Sequence, residues 1–337
     1  MDDADLRSRA TGSFDAHAAF AALDPQAVLD ALEHLGWRTD GRVLALNSYE
    51  NRVFRVGIED GRPLVAKFYR PGRWTDAAIL EEHGFAQELA TEGLPVVPPL
   101  VVDERTLHAV GGHRLAVFPL RGGRAPDCDR RQTLLSLGGV LARMHLVGAR
   151  RPFLHRPTLD VESHGDRAVG VLLDGGWLPP ALEENFERLA DTLLDRIETL
   201  WEAVSPATLR LHGDCHPGNI LWDTPPGTDG APHFVDLDDA LNGPAIQDLW
   251  MLMPPQPDAP EREWLLEGYA VFGSFDVREL RLVESLRTLR MLHHSAWIAR
   301  RWSDPAFPRA FGSFASPRHF ESLVAQLQEQ LALLQES

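Results

Sequence analysis

Apolar and polar positions alternate differently in two parts of the chain: strand-like in the first third, helix-like in most of the rest. "PQAVLDALEHLGW" has the helical spacing, and Asp24-Pro25 ahead of it supplies an N-cap and a Pro at the first helical position, with Gly36 as the predicted stop. Strands are predicted near 43–46, 52–58 and 63–69, the last two joined through Glu59-Asp60-Gly61 as a hairpin. A helix is predicted over 75–92, closed by Gly93, and "TLHAV" and "HRLAVFPL" flank Gly111-Gly112 as two further strands. Five antiparallel strands with one inserted helix thus predict an N-terminal lobe over residues 18–120.

Beyond "RGGR" the spacing becomes helical, in "RQTLLSLGGVLARMHLVG", "PPALEENFERLADTLLDRIETLWEAV", "AIQDLWMLM", "EREWLLEGYAVFG" and "VRELRLVESLRTLRMLHHSAWIARRW". Residues 121–337 therefore predict a mainly helical lobe, interrupted near 208–239, and the polar stretch 1–17 is expected to fray. The predicted fold class is α+β, an antiparallel sheet lobe followed by a helical lobe.

Composition narrows the function classes. A chain of 337 residues exceeds what one hydrophobic core usually supports, in keeping with two lobes. No apolar run reaches the roughly 18–20 residues of a membrane span, and the first residues lack a signal-peptide pattern. A cytoplasmic protein without a membrane partner is expected. Cys128 and Cys215 lie far apart and form neither a disulfide framework nor a zinc motif. A net charge of −16 argues against a nucleic-acid partner, which would ask for a basic patch.

One feature of the charge is sharper. Of 33 basic residues, 32 are Arg, and Lys67 in "RPLVAKFYR" is the single lysine. A compact ammonium in such a background marks a site where a broad guanidinium fork does not serve. On a strand, Lys67 projects from one face and Ala66 and Phe68 from the other.

The interruption in the helical region holds most of the candidate chemistry. "LRLHGDCHPGNILWD" (209–223) and "FVDLDD" (234–239) put Asp214, Asn219 and Asp236 on strand ends and loops. Three chemistries compete for them. A zinc or dinuclear hydrolase would use His212, Asp214, His216, Asp236 and Asp238, but would need neither Asn219 nor the solitary lysine. A thiol nucleophile would make Cys215 central, yet no orienting partner is evident for it, and a packed small residue is the simpler reading. Phosphoryl transfer uses every piece: an Asp for the acceptor proton, an Asn and a second Asp for magnesium, a Lys for phosphates.

"HGDCHPGN" followed by "FVDLDD" resembles the catalytic and metal loops of the aminoglycoside phosphotransferase and choline kinase group, which has a bilobal protein-kinase-like fold. Within that group, "LNSYENRVFRV", "VAKFYRPGRW", "ILEEH", "HRPT", "FVDLDDALNGPAIQDLWML" and "RRWSDPAFP" are similar to bacterial serine/threonine protein kinases of the stress response. The resemblance implies an ATP-dependent kinase with Mg2+. It makes Asp214 the catalytic aspartate, Asn219 a magnesium ligand and Asp236 the metal-bridging aspartate, with Asp238 as an accessory. It assigns Lys67 to the α and β phosphates and an ion-pair partner to the following helix, Glu82 by its spacing to "GLPV" or else Glu81. A glycine-rich loop is absent; "LNSYENRVF" takes its place, with Ser48 as an ATP contact, and "VFPLRGG" becomes the hinge, where backbone around Phe118 to Leu120 meets adenine. His212 and Asp248 are expected to brace the catalytic loop, and His216 either to line the acceptor site or to brace the loop as well. The tryptophans at 250, 297 and 302 are expected in the core. The implied acceptor is a protein serine or threonine, the enzyme itself included, and the implied state a monomer. A small-molecule kinase of the aminoglycoside, choline or homoserine type is the alternative, with a metal-dependent hydrolase more remote.

Overall fold

The computed structural model describes residue 20 and residues 23–336 except 226 and 229. The expected fraying of 1–17 lies outside the described residues. The chain forms two compact units. The first comprises residues up to 76, 100–120 and 301–311; the second comprises 77–99, 121–300 and 312 onwards.

The first unit is a five-stranded antiparallel sheet. Strands β1 (Thr39–Ala45), β2 (Arg52–Ile58), β3 (Leu64–Phe68), β4 (His108–Val110) and β5 (His113–Pro119) lie in the order β1-β2-β3-β5-β4. Pleating decides which side chains are buried: Ala66 and Phe68 join Val56, Leu115 and Val117 in the core under the Pro25–His34 helix, and Lys67 falls on the other face. That helix begins as its sequence predicts, with the Asp24 carboxylate accepting a hydrogen bond from the Ala27 N–H, and Gly36 follows its end with a φ of +95°.

The second unit is mainly helical. Its long helices are Asp76–Thr91, Arg131–Gly148, Pro180–Val204, Val283–Arg301 and Pro317–Glu336, and they carry two small two-stranded sheets. Strands β6 (Leu209–Leu211) and β9 (Leu241–Gly243) make one sheet, β7 (Ile220–Asp223) and β8 (Ala231–Phe234) the other. The helix Asp76–Thr91, read from sequence as an insertion among the sheet strands, packs as part of this unit. Phe85 meets Phe153 edge to face, Glu88 bonds Arg210 at 2.9 Å, and the Glu81 carboxylate accepts the backbone N–H groups of Leu154, His155 and Arg156 at 2.6, 2.7 and 3.0 Å.

One predicted helix is different. "AIQDLWMLM" forms two short 3-10 turns, Ala245–Asp248 and Trp250–Leu252, and side chains tie the first of them to the rest of the unit. Glu279 accepts from the Ile246 N–H, and Gln247 donates its side-chain amide to the Gly213 carbonyl. Trp250 is buried as expected, while Trp297 and Trp302 are only half-buried.

Candidate active site

Asp214 stands on the loop between β6 and β7. The strands bounding this loop are too short to fix it, and the Asp248 carboxylate does so from below. Fully buried, Asp248 accepts the N–H groups of His212 and Gly213, both at 2.8 Å, and lies 3.3 Å from His145 Nε2. His212 is also fully buried and donates Nε2–H to the Val235 carbonyl at 2.9 Å, which ties the loop to the exit of β8. Both residues brace the loop, as the sequence predicts. Gly213 has a φ of +85°, and a Cβ there would sit 2.0 Å from the Asp239 carbonyl oxygen, so only glycine fits.

The Asp214 carboxylate is surrounded by donors. Arg290 Nη1 lies 2.7 Å from Oδ1, Asn219 Nδ2 is 3.4 Å from Oδ2, and His216 Nε2 is 3.5 Å from Oδ2. Burial favours the protonated acid, but the adjacent Arg290 guanidinium prevails and holds the carboxyl below its ordinary value. Asp214 is therefore an anion at neutral pH. His216 also turns Nδ1 to the Gly218 N–H at 3.0 Å, so it shapes the loop while facing the carboxylate.

Asn219 and Asp236 meet through the β7–β8 pair. The Asn219 carbonyl accepts the Val235 N–H at 3.0 Å, immediately before Asp236, and Ile220 pairs with Phe234 in register. Asn219 donates Nδ2 to the Asp214 carbonyl at 3.0 Å, which orients the amide and leaves its oxygen as the end available to a hard cation. Asp236 is exposed and has a φ of +60°, a left-handed conformation uncommon outside glycine. Such strain at a strand exit is characteristic of functional positions. Among the described residues no three His, Cys, Asp or Glu side chains converge to hold a metal. An amide oxygen and a carboxylate fit the other arrangement, a hard divalent cation whose remaining ligands are phosphate oxygens and water.

Cys215 is completely buried and its thiol is pushed well above its ordinary value; Cys128 is pushed up to about 11 by burial and by Asp129 and Asp127. Neither offers a thiolate at neutral pH. Glu82 is buried, with a carboxylate oxygen 3.7 Å from His83 Nε2, whereas Glu81 is committed to the backbone of 154–156.

In the first unit Lys67 is buried on β3, its ammonium 5.3 Å from the centre of the Tyr69 ring. Ser48 is half-buried in the loop joining β1 to β2. Phe118, opposite Val65 on β5, and Leu120, just past the end of that strand, are half-buried as well.

Residues 42–283 match the model of the phosphotransferase enzyme family. The chain belongs to that family. This phosphotransferase is 42% identical to stress response kinase A of Salmonella choleraesuis strain SC-B67 over 321 residues, which is 94% of this chain and 95% of that protein. It is 41% identical to the serine/threonine protein kinase RdoA of Salmonella typhimurium over the same shares of both chains. Among solved structures it is similar in fold to the amicoumacin kinase hAmiN in complex with AMP-PNP, Ca2+ and Ami, with a TM-score of 0.65 at 18% identity, covering 90% of this chain and 96% of that one. Sequence reasoning missed one residue beside the candidate base: Arg290 lies 76 positions from Asp214, in a helix that carries several other arginines.

Proposed function

We propose that this phosphotransferase is an ATP- and Mg2+-dependent protein kinase that transfers the γ-phosphoryl group of ATP to serine or threonine hydroxyls, its own included, and that it acts as a cytoplasmic monomer. The observation that carries the reading is the ionised Asp214 on a loop fixed by Asp248, beside the Asn219 amide, with Asn219 joined through its backbone to the strand that ends at Asp236. The name of the RdoA relative supports the protein acceptor.

In this reading Asp214 orients the acceptor hydroxyl and takes its proton as the oxygen attacks phosphorus. A base with a depressed pKa is a weak one, which suits a loose phosphoryl transition state where the hydroxyl proton leaves late and positioning dominates. Asn219 and Asp236 hold the magnesium, which neutralises charge on the phosphate oxygens when bound. Lys67 holds the α and β phosphates, and Glu82 takes the role of its ion-pair partner, since the Glu81 carboxylate is already filled by three N–H donors. Ser48 donates to phosphate, and backbone at Phe118 and Leu120 faces adenine.

The test is transfer of label from γ-labelled ATP with Mg2+ to a generic protein acceptor and, in parallel, to aminoglycosides, choline and homoserine. The proposal expects phosphoserine or phosphothreonine in protein and no labelled small alcohol. Label confined to a small alcohol would replace it with the small-molecule kinase reading, and no ATP-dependent label would remove both.

A further inference from the structure

The loop between β1 and β2, "LNSYEN" at 46–51, contains no glycine, and side chains from a distant part of the chain hold it in place. Residues 301–311, "RWSDPAFPRAF", return to the sheet unit after the long helix and lie against this loop. Asp304 is buried and receives Arg70 Nη2 at 2.7 Å on one carboxylate oxygen and Arg52 Nη2 at 3.1 and 3.0 Å on the two oxygens. Arg70, three residues beyond Lys67, also reaches the loop: Nε donates to the Glu50 carbonyl at 2.8 Å, Nη2 to the Tyr49 carbonyl at 3.1 Å, and its backbone N–H to Asn51 Oδ1 at 3.1 Å. The Glu50 carboxylate in turn accepts Arg301 Nε at 3.0 Å and lies 3.1 Å from Arg70 Nε. The Tyr49 ring packs against Phe307 and Phe311, with centroids 6.4 and 5.3 Å away.

We propose that the 301–311 segment is a clamp that preorganises the 46–51 loop for nucleotide phosphates, with Asp304 and Arg301 as positioning residues. The inference rests on the nucleotide reading of that loop given above. A glycine-rich phosphate loop gains its contact from backbone freedom and becomes ordered only around its ligand. Here the ordering is completed beforehand by buried ion pairs, so the loop meets phosphate without first losing its own entropy. Because Arg70 is bonded both to Asp304 and to the carbonyls of 49 and 50, the same clamp sets the place of Ser48 relative to the strand that carries Lys67. Glu50 and Asp304 remain ionised in spite of burial, which opposes their charge, because arginines surround both.

The test compares affinity for ATP with Mg2+ and for adenosine in the full-length wild type and in Asp304→Asn, by calorimetry. Loop positioning predicts that the variant loses roughly tenfold in ATP affinity, about 1.4 kcal/mol, while adenosine affinity changes less than twofold, since adenosine carries no phosphate. If Asp304→Asn fails to fold, Arg301→Gln, which removes the Arg301 guanidinium from Glu50 and leaves Asp304 its two arginines, is expected to show the same split at about threefold to tenfold. Equal losses for ATP and adenosine would reduce the segment to a structural strut, and unchanged ATP affinity would overturn the clamp. A wild type that binds ATP no more tightly than adenosine would instead overturn the nucleotide reading of the loop, and the clamp with it.

Discussion

Asp214 keeps its negative charge because the Arg290 guanidinium outweighs the cost of burial. With Asp214 as the proposed base, the acid limb of the transfer rate would follow its ionisation, so removing the Arg290 charge would raise the pKa and move the limb to higher pH. Arg290→Met is therefore expected to lose activity at a higher pH than wild type as the medium is acidified, measured as kcat between about pH 4 and 7; an unchanged limb would assign it to another group. Lys67→Arg is expected to fold normally yet lose roughly a hundredfold or more in transfer rate, the scale of an ångström-sized misplacement of the phosphates. Glu279 behaves oppositely to Asp214: burial raises its pKa to about 7. With the folded pKa above the unfolded one, its contribution is fully present below about pH 4.5 and is lost as pH rises through about 7. Glu279→Gln, which keeps an oxygen for the Ile246 N–H, is thus expected to stabilise the protein by about 1–3 kcal/mol at pH 8 and hardly at all at pH 4.5, in urea titrations. Asp214, Asn219 and Asp236 stood out as candidates in sequence because short motifs concentrate them, and Lys67 because composition isolates it. Arg290 was not, since only the folded loop and helix bring it to the carboxylate.

At the scale of elements, the five strands and the Asp76–Thr91 helix followed from alternation, spacing and Gly93, which depend on neighbours in sequence. What the helix packs against did not, because Glu81, Phe85 and Glu88 find partners more than sixty positions away, at 154–156, Phe153 and Arg210. Their roles separate in a paired experiment. Glu81→Gln is expected to weaken charge-assisted bonds to the backbone and cost about 1–3 kcal/mol of stability with ATP affinity nearly unchanged. Glu82→Gln is expected to cut transfer tenfold or more. The reverse pattern would make Glu81 the partner of Lys67. The "AIQDLWMLM" stretch misled for a related reason. Its period is helical, but Asp248, Gln247 and the Ile246 N–H are bonded to groups far away in sequence, which no local pattern shows.

For the whole molecule, sheet strands followed by helices imposed an α+β class before any motif was considered, and the structure has that architecture. The return of 301–311 to the sheet unit could not be read from local pattern, because it is fixed by Asp304 pairing with Arg70 and Arg52, more than two hundred positions earlier. Among the described residues no helix is long and apolar enough to cross a membrane.

The account stands or falls on Asp214 as the group that receives the acceptor proton. The most direct measurement is the single-turnover rate of label transfer from saturating γ-labelled ATP with Mg2+ to protein in Asp214→Asn, which keeps the size of the side chain, removes its charge and turns one acceptor oxygen into a donor. The rate is expected to fall at least a thousandfold while ATP affinity stays within about threefold of wild type, since the base acts on the acceptor and not on the nucleotide. Transfer at near wild-type rate in that variant would contradict the account.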